Sequence, residues 1–216
     1  VILASLVGAP MQGQTPPIFH PGAPGAEARV ITASEAVELS RTTYNAADVA
    51  FMQHMIVHHA QAVEMVELLR EQGADATVKR LGERIALSQE AEMAVMRDWL
   101  TVRRQPVDMP GMADGAHAGM DHSMHAAAPA ADDTPVMPGM LSPRQMRELA
   151  EARGPAFDKL FLEGMIKHHQ GALDMVDALM ATPDAAEDPT LSDFTTSVVA
   201  DQSAEILRMQ TILSDL

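Results

Sequence analysis

Two short stretches, Met55-Ile-Val-His58-His59 and Met165-Ile-Lys-His168-His169, repeat a methionine and a histidine pair within one chain. Imidazole is a poor filler for an apolar helix face, because its ring nitrogens need partners when buried. Thioether and imidazole together suit soft ions such as Cu(I) and Ag(I). At 3.6 residues per turn, His58 and His59 flank Met55, with Met65 on the edge of His58 and Met52 on the edge of His59. In the second stretch Met175 stands beside His168, and Leu162 takes the place of Met52. The pattern predicts two similar ligand sets, the first richer in thioether. The competing reading is packing: methionine at helical spacing fills cores, and Glu92 and Glu205 could satisfy the imidazoles as hydrogen-bond acceptors.

Other metal chemistries lack their residues. With no cysteine there is no disulfide, thiolate zinc site or cysteine nucleophile. No Glu stands three residues before any of these helical histidines, as a di-iron bundle requires, and His-Glu-x-x-His is absent. No nucleophile–base arrangement, phosphate loop or dinucleotide fingerprint points to another enzyme class.

A second group of soft donors lies between the two stretches. Residues 105–141 are rich in Pro, Gly, Ala and Asp, which predicts a flexible linker. They carry Met109, Met112, Met120, Met124, Met137 and Met140 with His117, His122 and His125, and the tetrapeptide MPGM occurs twice, at 109–112 and 137–140. A segment without a core gives methionine no packing role, so these residues are candidate ligands of weaker, exchangeable sites. Thioethers do not titrate while imidazole must be neutral to bind. The linker and the methionine pairs are therefore expected to keep Cu(I) in acid after the histidines protonate.

The elements that must position these residues follow from periodicity and caps. Thr32-Ala-Ser-Glu35 is a capping-box pattern for a short helix. Phe51, Met55, His58, Ala62, Met65 and Leu69 recur at three- and four-residue steps along a long helix between Asn45 and Gly73. A second long helix runs from about Asp75 to Arg104, and the short connection makes the two antiparallel neighbours. Ser142-Pro143 opens another short helix, Pro155 a long one to about Met180, and Asp188-Pro189 one to the C-terminus.

Aligning 48–69 with 158–179 gives ten identities in 22 positions, and Gln89, Glu92 and Met96 correspond to Gln202, Glu205 and Met209. This is a duplicated helical hairpin. The predicted fold is all-α: a four-helix bundle built from two hairpins, each preceded by a short helix, with no strand signal. The segments are 1–31 as export-signal remnant and disordered leader, 32–104 as the first hairpin, 105–141 as linker and 142–216 as the second hairpin.

Composition narrows the partners. The chain holds 17 methionines against five Phe, one Trp and one Tyr, so thioethers far outnumber aromatic rings. A net charge of −15 and no basic stripe argue against nucleic acid and anionic membrane surfaces. The apolar opening VILASLVGAP resembles the end of a secretory signal and is too short to span a membrane.

The pattern F-M-x-x-M-I-x-H-H-x-x-A-x-x-M, followed on the next helix by Q-x-x-E-x-x-x-M, resembles the DUF305 family over 43–102 and 153–214. The resemblance implies a ferritin-like four-helix fold, export in bacteria and, for some members, copper or silver binding in the periplasm. By motif match it implies ligand roles for Met55, His58, His59, Met65 and Met96, and for Met165, His168, His169, Met175 and Met209. His54 and Met52 face Gly164 and Leu162 in the alignment, so any role of theirs is not duplicated.

The expected function is an exported Cu(I) or Ag(I) binding protein without turnover, exchanging ions with a copper-transfer protein. The alternatives are a copper-cycling oxidoreductase and a structural helical module that binds nothing.

Overall fold

The computed structural model describes residues 16–20, 27–39, 43–109 and 132–216. They fall into two compact units, 1–42 and 43–216.

In the first unit β1 (Ile18–His20) pairs antiparallel with β2 (Arg29–Ile31), Phe19 opposite Val30. This corrects the expectation of no strand. Three-residue strands are too short to leave an alternation signal. Helix α1 (Ala33–Leu39) follows, and its capping box forms as expected. The Glu35 backbone N–H donates to Thr32 Oγ1 (3.1 Å), and the Thr32 N–H donates to the Glu35 carboxylate (2.8 Å).

The second unit is a bundle of α2 (Ala46–Gln72), α3 (Ala76–Val102), α5 (Gly154–Met180) and α6 (Pro189–Asp215), with short α4 (Pro143–Glu151) ahead of the second hairpin. The caps explain these limits. Asn45 Oδ1 accepts from the Ala47 and Asp48 backbones while Asp48 accepts from Asn45 N–H. Asp75, Ser142 and Asp188 cap α3, α4 and α6. Gly73 ends α2 at φ −68°, so space and not a left-handed turn selects glycine there. A Cβ would lie 2.6 Å from Leu69 Cδ1 and 2.8 Å from Asp158 Oδ1.

Paired aspartates lock the hairpins together. Asp158, at the start of α5, accepts from Ala74 N–H (3.1 Å) and Asp75 N–H (2.8 Å) in the α2–α3 turn. Its counterpart Asp48 accepts from Ala186 N–H (2.8 Å) in the α5–α6 loop. Both carboxylates are buried, so each holds the other hairpin's turn with charge-assisted bonds shielded from water. Asp158→Ala strands two backbone donors and should lower stability by about 2–4 kcal/mol. Urea denaturation reads this, and a change under about 0.5 kcal/mol would contradict the staple. At the N-terminus of α6 Trp99 Nε1–H donates to Asp188 Oδ1 (3.0 Å), and Arg103 pairs with Asp188 while lying over the Trp99 ring.

The core has two halves. One gathers Ala62, Met65, Met165 and Met209 with Phe157 and Phe161. The other gathers Met52, Met55, Met93 and Met96 with Ala172, Phe51 and Phe194, and Met175 packs against it. Between them lie the histidines. No helix among the described residues is long and apolar enough to cross a membrane.

Candidate metal centre

His58, His59, His168 and His169 are all fully buried, at 0% exposure. They arrive there because α2 and α5 cross antiparallel with their repeated faces inward, and the His58 and His168 rings come within 3.9 Å, centroid to centroid. His59 Nε2–H donates to Glu92 Oε2 on α3 (2.5 Å), and His169 Nε2–H donates to Glu205 Oε2 on α6 (2.7 Å). His168 Nε2–H donates to the backbone oxygen of His58 (2.8 Å), and His58 Nε2–H donates to the Pro138 oxygen (3.0 Å).

Every one of these partners is an acceptor, so each Nε2 carries its proton. In a neutral ring that leaves Nδ1 with a bare lone pair. All four Nδ1 atoms are buried and have no hydrogen-bond partner. An acceptor that fixes one ring nitrogen and leaves the other free is the usual arrangement behind a metal-ligating histidine. The packing reading is right that Glu92 and Glu205 hold the rings, and it leaves the four lone pairs unexplained.

Burial drives the His58 pKa down to about 3, reinforced by the neighbouring His59. His168 is lowered well below the ordinary imidazole range by burial, with His58 as the next cause. Both rings are neutral throughout the mildly acidic range while the protein stays folded. For these two rings this departs from the expectation that the histidines protonate in mild acid: no proton has to leave before an ion enters.

Met52, Met55, Met65, Met96, Met165 and Met209 are fully buried, while Met175 is half-buried. Their grouping differs from the helical-wheel reading. Met65 packs in the same half-core as Met165 and Met209, and Met175 packs against the half-core that holds Met55 and Met96. A Cβ placed on Gly164 would meet Met65 Cε at 3.2 Å. The antiparallel crossing of α2 and α5 thus exchanges the distal methionines, so each half-core draws on both hairpins. Among the described residues, no three His, Asp or Glu side chains converge on one point. Thioethers are the donors these half-cores hold in number, and they favour soft ions.

The second MPGM is the main departure from the sequence reading. Residues 137–140 form a turn, with Met140 N–H donating to Met137 O (3.2 Å) and Gly139 at φ +76°. Pro-Gly at its centre supplies the backbone a type II turn needs. Met137 and Met140 are buried, not presented to solvent. Gly171 on α5 accommodates the turn, since a Cβ there would lie 2.1 Å from the Pro138 oxygen. At the corresponding position of α2, Gln61 exchanges hydrogen bonds with both backbone atoms of Leu141 (2.7 and 3.0 Å). The strap therefore lies across both central helices and supplies the His58 acceptor. Sequence reasoning missed Gly171 and Gln61; the Pro-Gly pair was the available signal. Gly171→Ala should undock the strap and lower stability by about 1–3 kcal/mol. Proteolysis near 137–141 tests this, and an unchanged cleavage rate would contradict it.

Met109 is half-buried just beyond α3. Met112, His117, Met120, His122, Met124 and His125 lie outside the described residues.

This geometry defines an all-α protein whose hairpins enclose a thioether-lined core with bare imidazole nitrogens. The chain belongs to the DUF305 family, "Domain of unknown function", whose sequence profile matches residues 48–213. Solved structures share the fold. A DUF305 secreted protein from Streptomyces coelicolor is 27% identical, with a TM-score of 0.62 over 78% of this chain and 93% of that one. A DUF305 fragment from Deinococcus radiodurans is 28% identical, with a TM-score of 0.63 over 80% and 99%. CopM in its Cu(II)-bound form is 25% identical, with a TM-score of 0.57 over 78% and 96%, and its Cu(I)-bound form is also similar (25%, TM-score 0.54). No curated protein sequence matches the chain.

Proposed function

We propose that this chain is an exported protein that binds Cu(I), and the chemically similar Ag(I), in its helical core for sequestration or transfer. It is a tandem duplicate whose two hairpins together build the site. The carrying observation is the set of four buried, unpartnered Nδ1 atoms set between two methionine clusters. The proposed core ligands are His58, His59, His168 and His169 with Met52, Met55, Met65, Met96, Met165, Met175 and Met209. Met137 and Met140 on the strap and Met109 beyond α3 are auxiliary donors, along with the remaining linker methionines and histidines. Similarity to copper-bound CopM supports the choice of metal, and similarity to a secreted relative supports export.

Binding without turnover is the better reading. A copper oxidase needs an open coordination position reachable by oxygen, whereas these imidazoles and the six inner methionines are fully buried. The partner is then a protein that hands over or collects the ion. X-ray absorption of the anaerobically Cu(I)-loaded protein should give a first shell of sulfur with nitrogen. A shell of nitrogen and oxygen without sulfur would overturn the reading.

A further inference from the structure

Two more side chains of the core lack partners. Gln89 Oε1 is buried and unpaired, and so are both amide atoms of Gln202. Each residue is 1% exposed. A buried amide without hydrogen bonds costs about 1–3 kcal/mol. The same cost arises at corresponding positions of α3 and α6, which argues against an accident of packing.

Their placement is specific. Gln89 lies one turn before Glu92, which holds His59, and Gln202 lies one turn before Glu205, which holds His169. Continuing that antiparallel register by one turn sets Gln89 level with Ala62 and Gln202 level with Ala172. Both alanines are fully buried and small enough to let an amide reach inward. Ala62 belongs to the half-core of Met65, Met165 and Met209, and Ala172 to that of Met55 and Met96. Each methionine cluster thus has one amide at its level.

The unpaired atoms are unbalanced in sign. Four Nδ1 and two Oε1 are bare acceptors, while Gln202 Nε2 is the only bare donor on these residues. Such an excess of lone pairs calls for a cation. Thioether and imidazole satisfy Cu(I), for which an amide oxygen adds little. Oxygen and nitrogen donors are what Cu(II) prefers.

We propose that Gln89 and Gln202 are specificity-determining oxygen donors that extend the core's acceptance from soft monovalent ions to Cu(II). This rests on the soft-metal reading above. The test uses the full chain and the pair Gln89→Met/Gln202→Met, which keeps length and helix propensity but exchanges oxygen for sulfur. Cu(I) is measured anaerobically against a colorimetric chelator; Cu(II) is measured by competition with a second chelator and by electron paramagnetic resonance. The expected result is at least about a tenfold loss of Cu(II) affinity with Cu(I) affinity held within about threefold, and a changed Cu(II) spectrum. Gln89→Glu/Gln202→Glu, which keeps an oxygen at each position, should retain Cu(II). The proposal is overturned if the methionine pair leaves Cu(II) affinity and spectrum unchanged, or if the unaltered protein binds Cu(I) but not Cu(II). A protein that binds neither ion overturns the soft-metal reading along with it.

Discussion

Acidifying the metal-free protein from pH 7 to pH 4 should lower its stability by about 3 kcal/mol through His58 alone, with His168 acting in the same direction, a large fraction of a typical domain's stability. In the unfolded chain His58 and His168 take up protons near the ordinary value of about 6.5. In the folded chain burial holds His58 neutral down to about 3 and lowers His168 well below its ordinary value. Between those limits the unfolded state binds more protons, so stability is complete above about pH 6.5 and falls as pH drops. His58 contributes about 1.4 kcal/mol per pH unit in that window. Denaturation at a series of pH values reads the slope. Ag(I) should move the acid transition to lower pH, because an ion that binds only the folded state stabilises it by mass action. A flat profile from pH 7 to pH 4 would contradict the buried, neutral pair.

The second large effect separates ligation from packing. Met55→Leu, Met96→Leu, Met165→Leu and Met209→Leu, combined, exchange four fully buried thioethers for hydrocarbon of similar volume. Leu-for-Met exchanges usually cost under about 1.5 kcal/mol each, so the bundle should still fold. Cu(I) affinity should fall by at least about a hundredfold, since four of the seven proposed core thioethers are lost and only Met52, Met65 and Met175 remain. If the methionines were only core, copper affinity would be unchanged. Competition against a Cu(I) chelator, with circular dichroism as the folding check, decides between them.

The bundle was legible because its signals are local. Asn45, Asp75, Ser142 and Asp188 cap helices where their residue types predict. The repeated Met-Ile-x-His-His placed four histidines inside, and Glu92 and Glu205 were identifiable as the acceptors of His59 and His169. What the sequence hid is non-local. A helical wheel shows which face Met65 occupies, but only the crossing of α2 and α5 shows that it shares a half-core with Met165. The composition of 105–141 reads as linker throughout, yet a turn at 137–140 gains a docking site because residue 171 is glycine. Asp48 and Asp158 were visible as a repeated pair, but their reach into the opposite hairpin's turn depends on the tertiary fold. The depressed His58 pKa likewise follows from burial and from the neighbouring His59, opposed by a carbonyl eighty residues away.

The most direct test of a copper site inside the helices is an anaerobic Cu(I) titration against a colorimetric chelator. The intact protein is compared with a form lacking 110–131, a deletion that spares the docked strap. The account predicts that tight binding survives the deletion and only weaker, exchangeable equivalents disappear. Loss of all tight binding with that segment would place the metal in the linker and leave the buried histidines without a metal role.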